Sequence, residues 1–192
     1  MRKATWSDKD TVIAIIAETF KDNPGVCWML KKRRDHNKSI RTLAEYAFVK
    51  AHLHKGVYIS SNEKGVALCY FPNSELFSWS LLHFQFRFLI SAVNILRIPK
   101  LLWRESYRNK QRPKNKDYMY CWFLGVLKDG AGAAFELRDG IMAEARARNL
   151  PIYLETTLKR NQMAYERSGF ETYHHWTDDS EGIEFWFMKL IP

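Results

Sequence analysis

The segment from residue 118 to 156 constrains the fold of this chain more than any other, because it has the pattern strand, glycine turn, helix, strand. Residues 118–126, Tyr-Met-Tyr-Cys-Trp-Phe-Leu-Gly-Val, form a nearly continuous aromatic and apolar run, which is expected of a strand buried on both faces. The helix is predicted from apolar residues at helical spacing, Ala134, Leu137, Ile141 and Ala145. Residues 151–156 form the second strand. Such a unit is normally a right-handed parallel crossover.

Antiparallel strands are expected on both sides of that unit. Residues 57–60 and 65–71 are β-rich runs separated by four polar residues, a pattern typical of a hairpin. A last helix is predicted at residues 160–168, before a glycine, and closing strands at residues 170–176 and 183–190. These elements together predict a mixed α/β sheet, mostly antiparallel, with helices on both faces.

The N-terminal half is predicted to begin with a short strand at residues 3–6 and a helix opened by Ser7. Pro24 and Gly25 mark the end of that helix, because proline disfavours helical geometry in the residue before it. Apolar residues at helical spacing from residue 37 to 54 predict a second amphipathic helix that packs on the core.

Residues 74–117 are predicted to form a helical insert. The first part is dense in Leu, Phe and Trp, but polar residues interrupt it too often for a membrane span, so one helix is expected before Pro99 and another after it. Packing of this helical pair on the core is the favoured interpretation. The alternatives are that it lines an acceptor pocket, docks a partner or touches lipid. The basic tail, residues 104–117, is predicted to be an exposed connector.

Length and composition favour a single domain over residues 1–192. With 46% hydrophobic residues, a chain of 192 residues has ample material for one core. The three cysteines are too scattered for a disulfide framework, and residues 1–10 lack the apolar stretch of a signal peptide. A cytoplasmic location is therefore expected.

The formal charge of +9 is compatible with nucleic acid, a membrane surface, or an anionic cofactor or substrate. The basic run at residues 31–34 is short and has no interleaved aromatics, so a solvated loop is favoured over a nucleic-acid site. Charge alone does not choose among these partners.

The turn at residues 128–134, Lys-Asp-Gly-Ala-Gly-Ala-Ala, lies between the buried strand and the helix. Glycines let the backbone approach a ligand closely, and the free N–H groups at a helix start favour an anion. A phosphate or pyrophosphate fits there, although such a turn is also a common plain connection. A dinucleotide site is less favoured, because its fingerprint needs a third glycine where Phe135 stands.

The same region resembles the GNAT superfamily of N-acyltransferases. The matching residues occur in the family's order: Leu124-Gly125-Val126, the Gly-Ala-Gly-Ala-Ala turn, Tyr153-Leu154-Glu155-Thr156, Asn161, Tyr165 and Gly169-Phe170. The resemblance covers residues 118–173 well and the N-terminal half in outline. It departs at Asp129, where the family usually has Arg or Gln, and in a slightly short connection after Val126.

The resemblance implies acetyl-CoA as the cosubstrate. It places the pantetheine arm beside the strand and the pyrophosphate at the turn. Two alternatives are open for the Asp129 carboxylate: Lys128 offsets it, or it weakens CoA binding. The implied cofactor-binding residues are Leu124, Gly125, Val126, Lys128, Gly130, Ala131, Gly132, Ala133, Ala134 and Asn161.

Asn161 and Tyr165 are four residues apart in a predicted helix and therefore face the same way. The resemblance implies that the Tyr165 hydroxyl protonates the departing thiolate and that Asn161 helps hold the cofactor. The acceptor amine must also lose a proton. Glu155 is the candidate base, and Tyr118 and Tyr120 are alternatives that could order a water.

No metal is expected, since His174 and His175 are adjacent on a predicted strand and point to opposite faces. We therefore predict direct acetyl transfer from acetyl-CoA to a primary amine of an unidentified small-molecule or peptide acceptor. Neither nucleic acid nor a membrane span is expected, and a homodimer is compatible with the sequence. The alternative is a non-catalytic GNAT-fold binding module that uses its basic surface and aromatic insert to hold nucleic acid or a protein partner.

Overall fold

The computed structural model describes residues 1–31, 36–74 and 78–191, so most of the basic run at residues 31–34 lies outside the described residues. The described ranges contain one seven-stranded sheet in the order β1-β2-β3-β4-β5-β7-β6. Its strands are β1 (Arg2–Lys3), β2 (Val57–Ile59), β3 (Gly65–Tyr70), β4 (Met119–Val126), β5 (Ile152–Thr156), β6 (Glu171–Asp178) and β7 (Ile183–Leu190). β4 and β5 are parallel and the other neighbouring pairs are antiparallel. The predicted mixed, mostly antiparallel sheet is confirmed.

Helices cover both faces of the sheet. Those in the described ranges are α1 (Lys9–Phe20), α2 (Pro24–Met29), α3 (His36–Leu53), α4 (Trp79–Ser91), α5 (Ile98–Gln111), α6 (Ala133–Ala147) and α7 (Lys159–Arg167). α1, α3 and α4 pack on one face, around a core that includes Ile16 and Phe48. α6 and α7 pack on the other face, around Cys121 and Leu137. None of the helices in the described part has the length and apolar character needed to cross a membrane.

The N-terminal elements differ in detail from the prediction. β1 ends at Lys3, and a capping box forms at Thr5 and Asp8 and not at Ser7, with the Thr5 amide donating to Asp8 Oδ2 at 2.7 Å. A short 3-10 turn, Trp6–Asp8, therefore precedes α1.

The turn after α1 both ends one helix and begins another. α1 ends at Phe20. Asn23 then accepts a hydrogen bond from the Val26 amide at 3.2 Å, and Pro24 is the first residue of α2. Asparagine is a favoured N-cap, and proline at the first helical position loses no intrahelical hydrogen bond. The sequence analysis predicted the end of α1 at this turn but did not predict that α2 begins there.

The insert is helical as predicted, but its basic tail is not an exposed connector. α5 continues to Gln111, and Arg104 and Arg112 are buried. Their guanidinium groups pair with Asp178 and Glu155, which lie far along the chain. Local composition therefore could not reveal their burial. The core packing favoured for the insert holds for only one side of α4, since its other side is exposed.

β4 and β5 separate beyond Cys121. Their parallel pairing ends at Cys121↔Leu154, whereas β3 pairs with β4 as far as Val126. Trp122 has no counterpart on β3, which makes it a bulge. Bulges bend a strand and increase its local twist. The last part of β4 therefore presents an edge without a strand partner.

Candidate active site

The turn between β4 and α6 leaves backbone N–H groups free. Gly130 and Ala133 donate within the turn, to the carbonyls of Leu127 at 2.9 Å and Gly130 at 3.1 Å. Among the described residues, no acceptor is found for the amides of Ala131, Gly132, Ala134 and Phe135. These residues are exposed and begin a helix of 15 residues, where the helix dipole favours an anion.

Two glycines shape this turn for different reasons. A Cβ atom on Gly130 would lie only 2.9 Å from Lys64 Cβ and from Val126 Cγ1, too close for any side chain. Gly132 has open space around it but a φ of +80°, a conformation that other residues adopt at a cost. The predicted anion site therefore consists of backbone that no side chain of the turn covers.

Asp129 is paired with Lys64 and not with Lys128. The Lys64 ammonium lies 2.8 Å from the carboxylate, and hydrogen bonding to it lowers the pKa of Asp129. Lys128 is exposed. Asp129 stands where the family usually has Arg or Gln. Its negative charge is offset by Lys64, which lies in the loop between β2 and β3.

Leu124, Gly125 and Val126 lie on the part of β4 that has no β5 partner. Gly125 is required by α1, because a Cβ atom there would overlap the Thr19 hydroxyl. The open edge runs along the strand from the anion site to Cys121. The structure thus places the predicted arm-binding residues and the predicted turn in one continuous line.

Tyr165 lies on α7 and packs against the core of the α6 face. Its ring is 5.5 Å from the Phe170 ring, between centroids. Burial raises the pKa of Tyr165, with a further contribution from the Cys121 and Cys69 thiols, so its hydroxyl keeps its proton at neutral pH. Within residues 1–31, 36–74 and 78–191 that hydroxyl has no hydrogen-bond partner, and neither has the Asn161 side chain.

Glu155 is buried in a network that α5 supplies. The carboxylate pairs with the Arg108 guanidinium and accepts a hydrogen bond from Arg112 Nε at 2.8 Å. The Tyr120 hydroxyl accepts from Arg112 at 2.9 Å, and Glu105 lies 2.9 Å from Arg108 and 3.2 Å from Arg112. The carboxylate oxygens predicted to serve as a base are therefore already occupied by two cations.

Lys50 lies beside this network among aromatic rings. Its ammonium is 4.0 Å from the Tyr70 ring centroid and 4.9 Å from that of Trp122. Burial lowers the pKa of Lys50 to about 8, and the charge of Glu105 opposes the shift. The sequence analysis did not single out Lys50, because in sequence it is one more polar position on an amphipathic helix.

Thr157 directly follows β5, where the two parallel strands have parted. Its hydroxyl is buried and has no hydrogen-bond partner in the described part of the chain. A buried polar group normally has a partner. Its position after the Leu-Glu-Thr strand end was the only signal in the sequence that could have identified it.

The two adjacent histidines have separate partners. His174 Nε2 lies 2.9 Å from the Tyr107 hydroxyl, and His175 Nε2 lies 3.6 Å from a Glu184 oxygen. Across the described ranges, no group of three or more His, Cys, Asp or Glu side chains is arranged to hold a metal ion.

Several solved structures with this architecture are described as acetyltransferases. A structure described as histone acetyltransferase HPA2 and related acetyltransferase, from Corynebacterium glutamicum, matches with a TM-score of 0.67 at 21% identity, over 100% of this chain and 94% of that chain. A protein from Desulfovibrio desulfuricans described as a GNAT-family acetyltransferase matches with a TM-score of 0.53 at 11% identity, over 100% and 96%. The chain has the GNAT fold.

Arylalkylamine N-acetyltransferase 2 from Aedes aegypti is also similar to this GNAT-fold chain. It matches with a TM-score of 0.67 at 15% identity, over 99% of this chain and 97% of that chain. No protein-family model and no curated protein matches the sequence. The resemblance identified from residues 118–173 is therefore confirmed at the level of the GNAT fold.

Proposed function

We propose that this protein is an N-acetyltransferase that moves the acetyl group of acetyl-CoA to a primary amine of a small acceptor. One observation carries the proposal: the free amides of the turn follow the open edge of β4, and Tyr165, with its unpaired hydroxyl, packs on the same cluster as Leu124 and Val126 of that edge. The acetyltransferase descriptions of the structures with the same fold support it.

The residues present fit the cosubstrate. The free amides and the helix dipole of α6 suit a pyrophosphate, and the unpaired edge of β4 offers main-chain groups to the amides of the pantetheine arm. Asn161 lies on α7 with its amide group available for the arm. Because Lys64 already offsets Asp129, the turn adds no uncompensated negative charge next to the pyrophosphate.

In the proposed reaction, the neutral amine attacks the thioester carbonyl carbon and the carbon–sulfur bond breaks. Tyr165 then donates its proton to the sulfur that leaves. Its protonated, unpaired hydroxyl suits this role, and general acid catalysis of this kind is worth about 10²- to 10⁴-fold.

The network around Glu155 bears on which residue removes the amine proton. Glu155 is the least available candidate, because Arg108 and Arg112 hold its oxygens. We assign Glu155 a positioning role for α5. Tyr118 and Tyr120 stay candidates for ordering the water that removes the amine proton.

The acceptor is proposed to be a small amine with an aromatic or apolar group. The aromatic side chains of Tyr70 and Trp122 lie near the point where β4 and β5 part. The name of the mosquito arylalkylamine enzyme supports the same class of acceptor.

Calorimetry with acetyl-CoA and a thiol-release assay with tyramine, spermidine and a free amino acid test the proposal. We expect Tyr165→Phe to bind acetyl-CoA as the parent does and to lose about 10²- to 10⁴-fold in turnover. Tyr58→Phe is the matched control, because the Tyr58 hydroxyl likewise has no hydrogen-bond partner in the described residues. That variant is expected to keep its turnover.

Two results would contradict the proposal. Unchanged turnover of Tyr165→Phe would remove Tyr165 from its role. No heat and no thermal shift with acetyl-CoA would leave the binding-module alternative.

A further inference from the structure

α4 is apolar on two sides, and only one of them is covered. Leu81, Phe84 and Phe88 face the core that α1 and α3 share. Three apolar residues at intervals of four form an outer stripe on the opposite side: Leu82, Phe86 and Ile90. Their exposed fractions are 44%, 66% and 58%. On a surface helix of a globular protein, the side opposite the core normally carries polar residues.

Further exposed apolar residues follow α4 in the chain. Ile95 and Leu96, in the 3-10 turn Ile95–Arg97, are exposed by 73% and 85%, and Leu102 on α5 by 65%. Six large apolar side chains exposed within about twenty residues exceed what scattered surface residues provide, and such surfaces usually mark an interaction site.

Positive charge borders this apolar surface. Residues 79–117 contain nine Lys and Arg but only two acidic residues. Three of the nine, Arg104, Arg108 and Arg112, pair with Asp178 and Glu155 and do not belong to this surface. Some of these cations are paired, as Arg87 is with Glu45. Lys110 and Lys114 have no acidic partner at ion-pair distance among the described residues, and neither has Lys31, which lies outside the insert.

The unpaired cations lie at both ends of the apolar surface. The Lys31 ammonium donates to the Ile90 carbonyl at 2.7 Å, which places it at the end of the outer stripe. Lys110 and Lys114 line the same surface depression as Leu102, together with Glu105, whose charge Arg108 and Arg112 offset. The chemistry is therefore apolar in the middle and cationic at the margins.

We propose that this face of the insert docks on an anionic lipid membrane, with Leu82, Phe86, Ile90 and Leu96 entering the headgroup region and Lys31, Lys110 and Lys114 contacting lipid phosphates. An apolar helix face flanked by cations is the pattern by which interfacial helices bind such membranes. This proposal is independent of the acetyl transfer proposed above.

Charge disfavours a second copy of the chain as the occupant. A two-fold interface over this face would bring the same basic margins of two protomers together, and like charges across an interface are costly. An anionic lipid surface would instead place negative charge opposite all three lysines, Lys31, Lys110 and Lys114.

Flotation of the full chain with phosphatidylcholine vesicles, with and without phosphatidylserine, tests the proposal. We expect binding that requires phosphatidylserine, weakens with salt, and falls by about tenfold or more in Phe86→Glu. Ile191→Glu is the matched control, because Ile191 is 67% exposed and lies outside the insert. It is expected to bind as the parent does.

Each other outcome overturns the proposal. No binding to either vesicle, or equal loss in Phe86→Glu and Ile191→Glu, excludes docking through this face. A concentration-dependent dimer that Phe86→Glu abolishes, without vesicle binding, assigns the face to self-association. If Phe86→Glu lowers the melting temperature, Leu82→Glu at the neighbouring position of the stripe replaces it in the same comparison.

Discussion

Replacement of Glu155 by Gln asks whether this carboxylate holds α5 in place or removes a proton. The substitution keeps the side-chain shape and removes one charge. The Glu155 and Arg112 side chains are 5% and 8% exposed, so the guanidinium would stay buried with less compensation. Removal of one partner from a buried pair costs about 3–5 kcal/mol. Because the half-exposed Glu105 still contacts Arg108 and Arg112, we expect about 3 kcal/mol, the lower end.

Urea denaturation at neutral pH measures this cost, with Glu18→Gln as the matched control. Glu18 and Lys21 form an ion pair at 2.7 Å on the surface, with side chains 57% and 44% exposed. Such a pair contributes about 0–1 kcal/mol. If Glu155→Gln lost no more stability than the control and also lost turnover, Glu155 would be acting on a proton, and the positioning role would be refuted.

Two further predictions concern Lys50 and the turn. The pKa of Lys50 is lowered from 10.5 to about 8, so its ammonium destabilises the fold below pH 8, and that penalty disappears as the pH rises to 10.5. Lys50→Met should therefore raise the free energy of unfolding at pH 7 by about 1–3 kcal/mol and flatten its rise with pH, as urea titrations at several pH values would show. Gly130→Ala should abolish acetyl-CoA binding in calorimetry, because its Cβ would press on Lys64, whereas Gly132→Ala meets only backbone strain of about 1–2 kcal/mol. The opposite ranking of the two glycine variants would contradict this account of the turn.

The parts of the fold that could be predicted are those determined by residues close together in the sequence. The strand, turn, helix and strand from residue 118 to 156 follow from a run of apolar residues, glycines and helical spacing that lie next to one another in the chain. The parallel pairing of β4 with β5 follows in turn from the handedness of such crossovers. The separation of these strands did not follow, since it depends on a bulge at Trp122 set by pairing with β3.

The parts that were not predictable depend on contacts between distant segments. The Asp129 carboxylate is offset by Lys64, from the loop between β2 and β3, although Lys128 is the lysine next to Asp129 in sequence. The arginines of α5 were assigned to a connector because a basic stretch is usually solvated. One signal was available: Arg104, Arg108 and Arg112 recur every four residues and therefore share one helix face. A charged stripe with that period indicates buried partners when the opposite face is polar as well.

α5 has the proposed lipid contact on one side and the arginines that pair with Glu155 on the other. Leu102 and Lys110 line its outer surface, while Arg108 and Arg112 hold Glu155. A membrane that pulled α5 off the sheet would have to break that buried network, at about 3–5 kcal/mol for each partner lost. We therefore expect docking to orient the molecule without opening it, so that turnover with a soluble amine is the same with and without phosphatidylserine vesicles. A clear rise in turnover on vesicles would show instead that α5 moves when it docks.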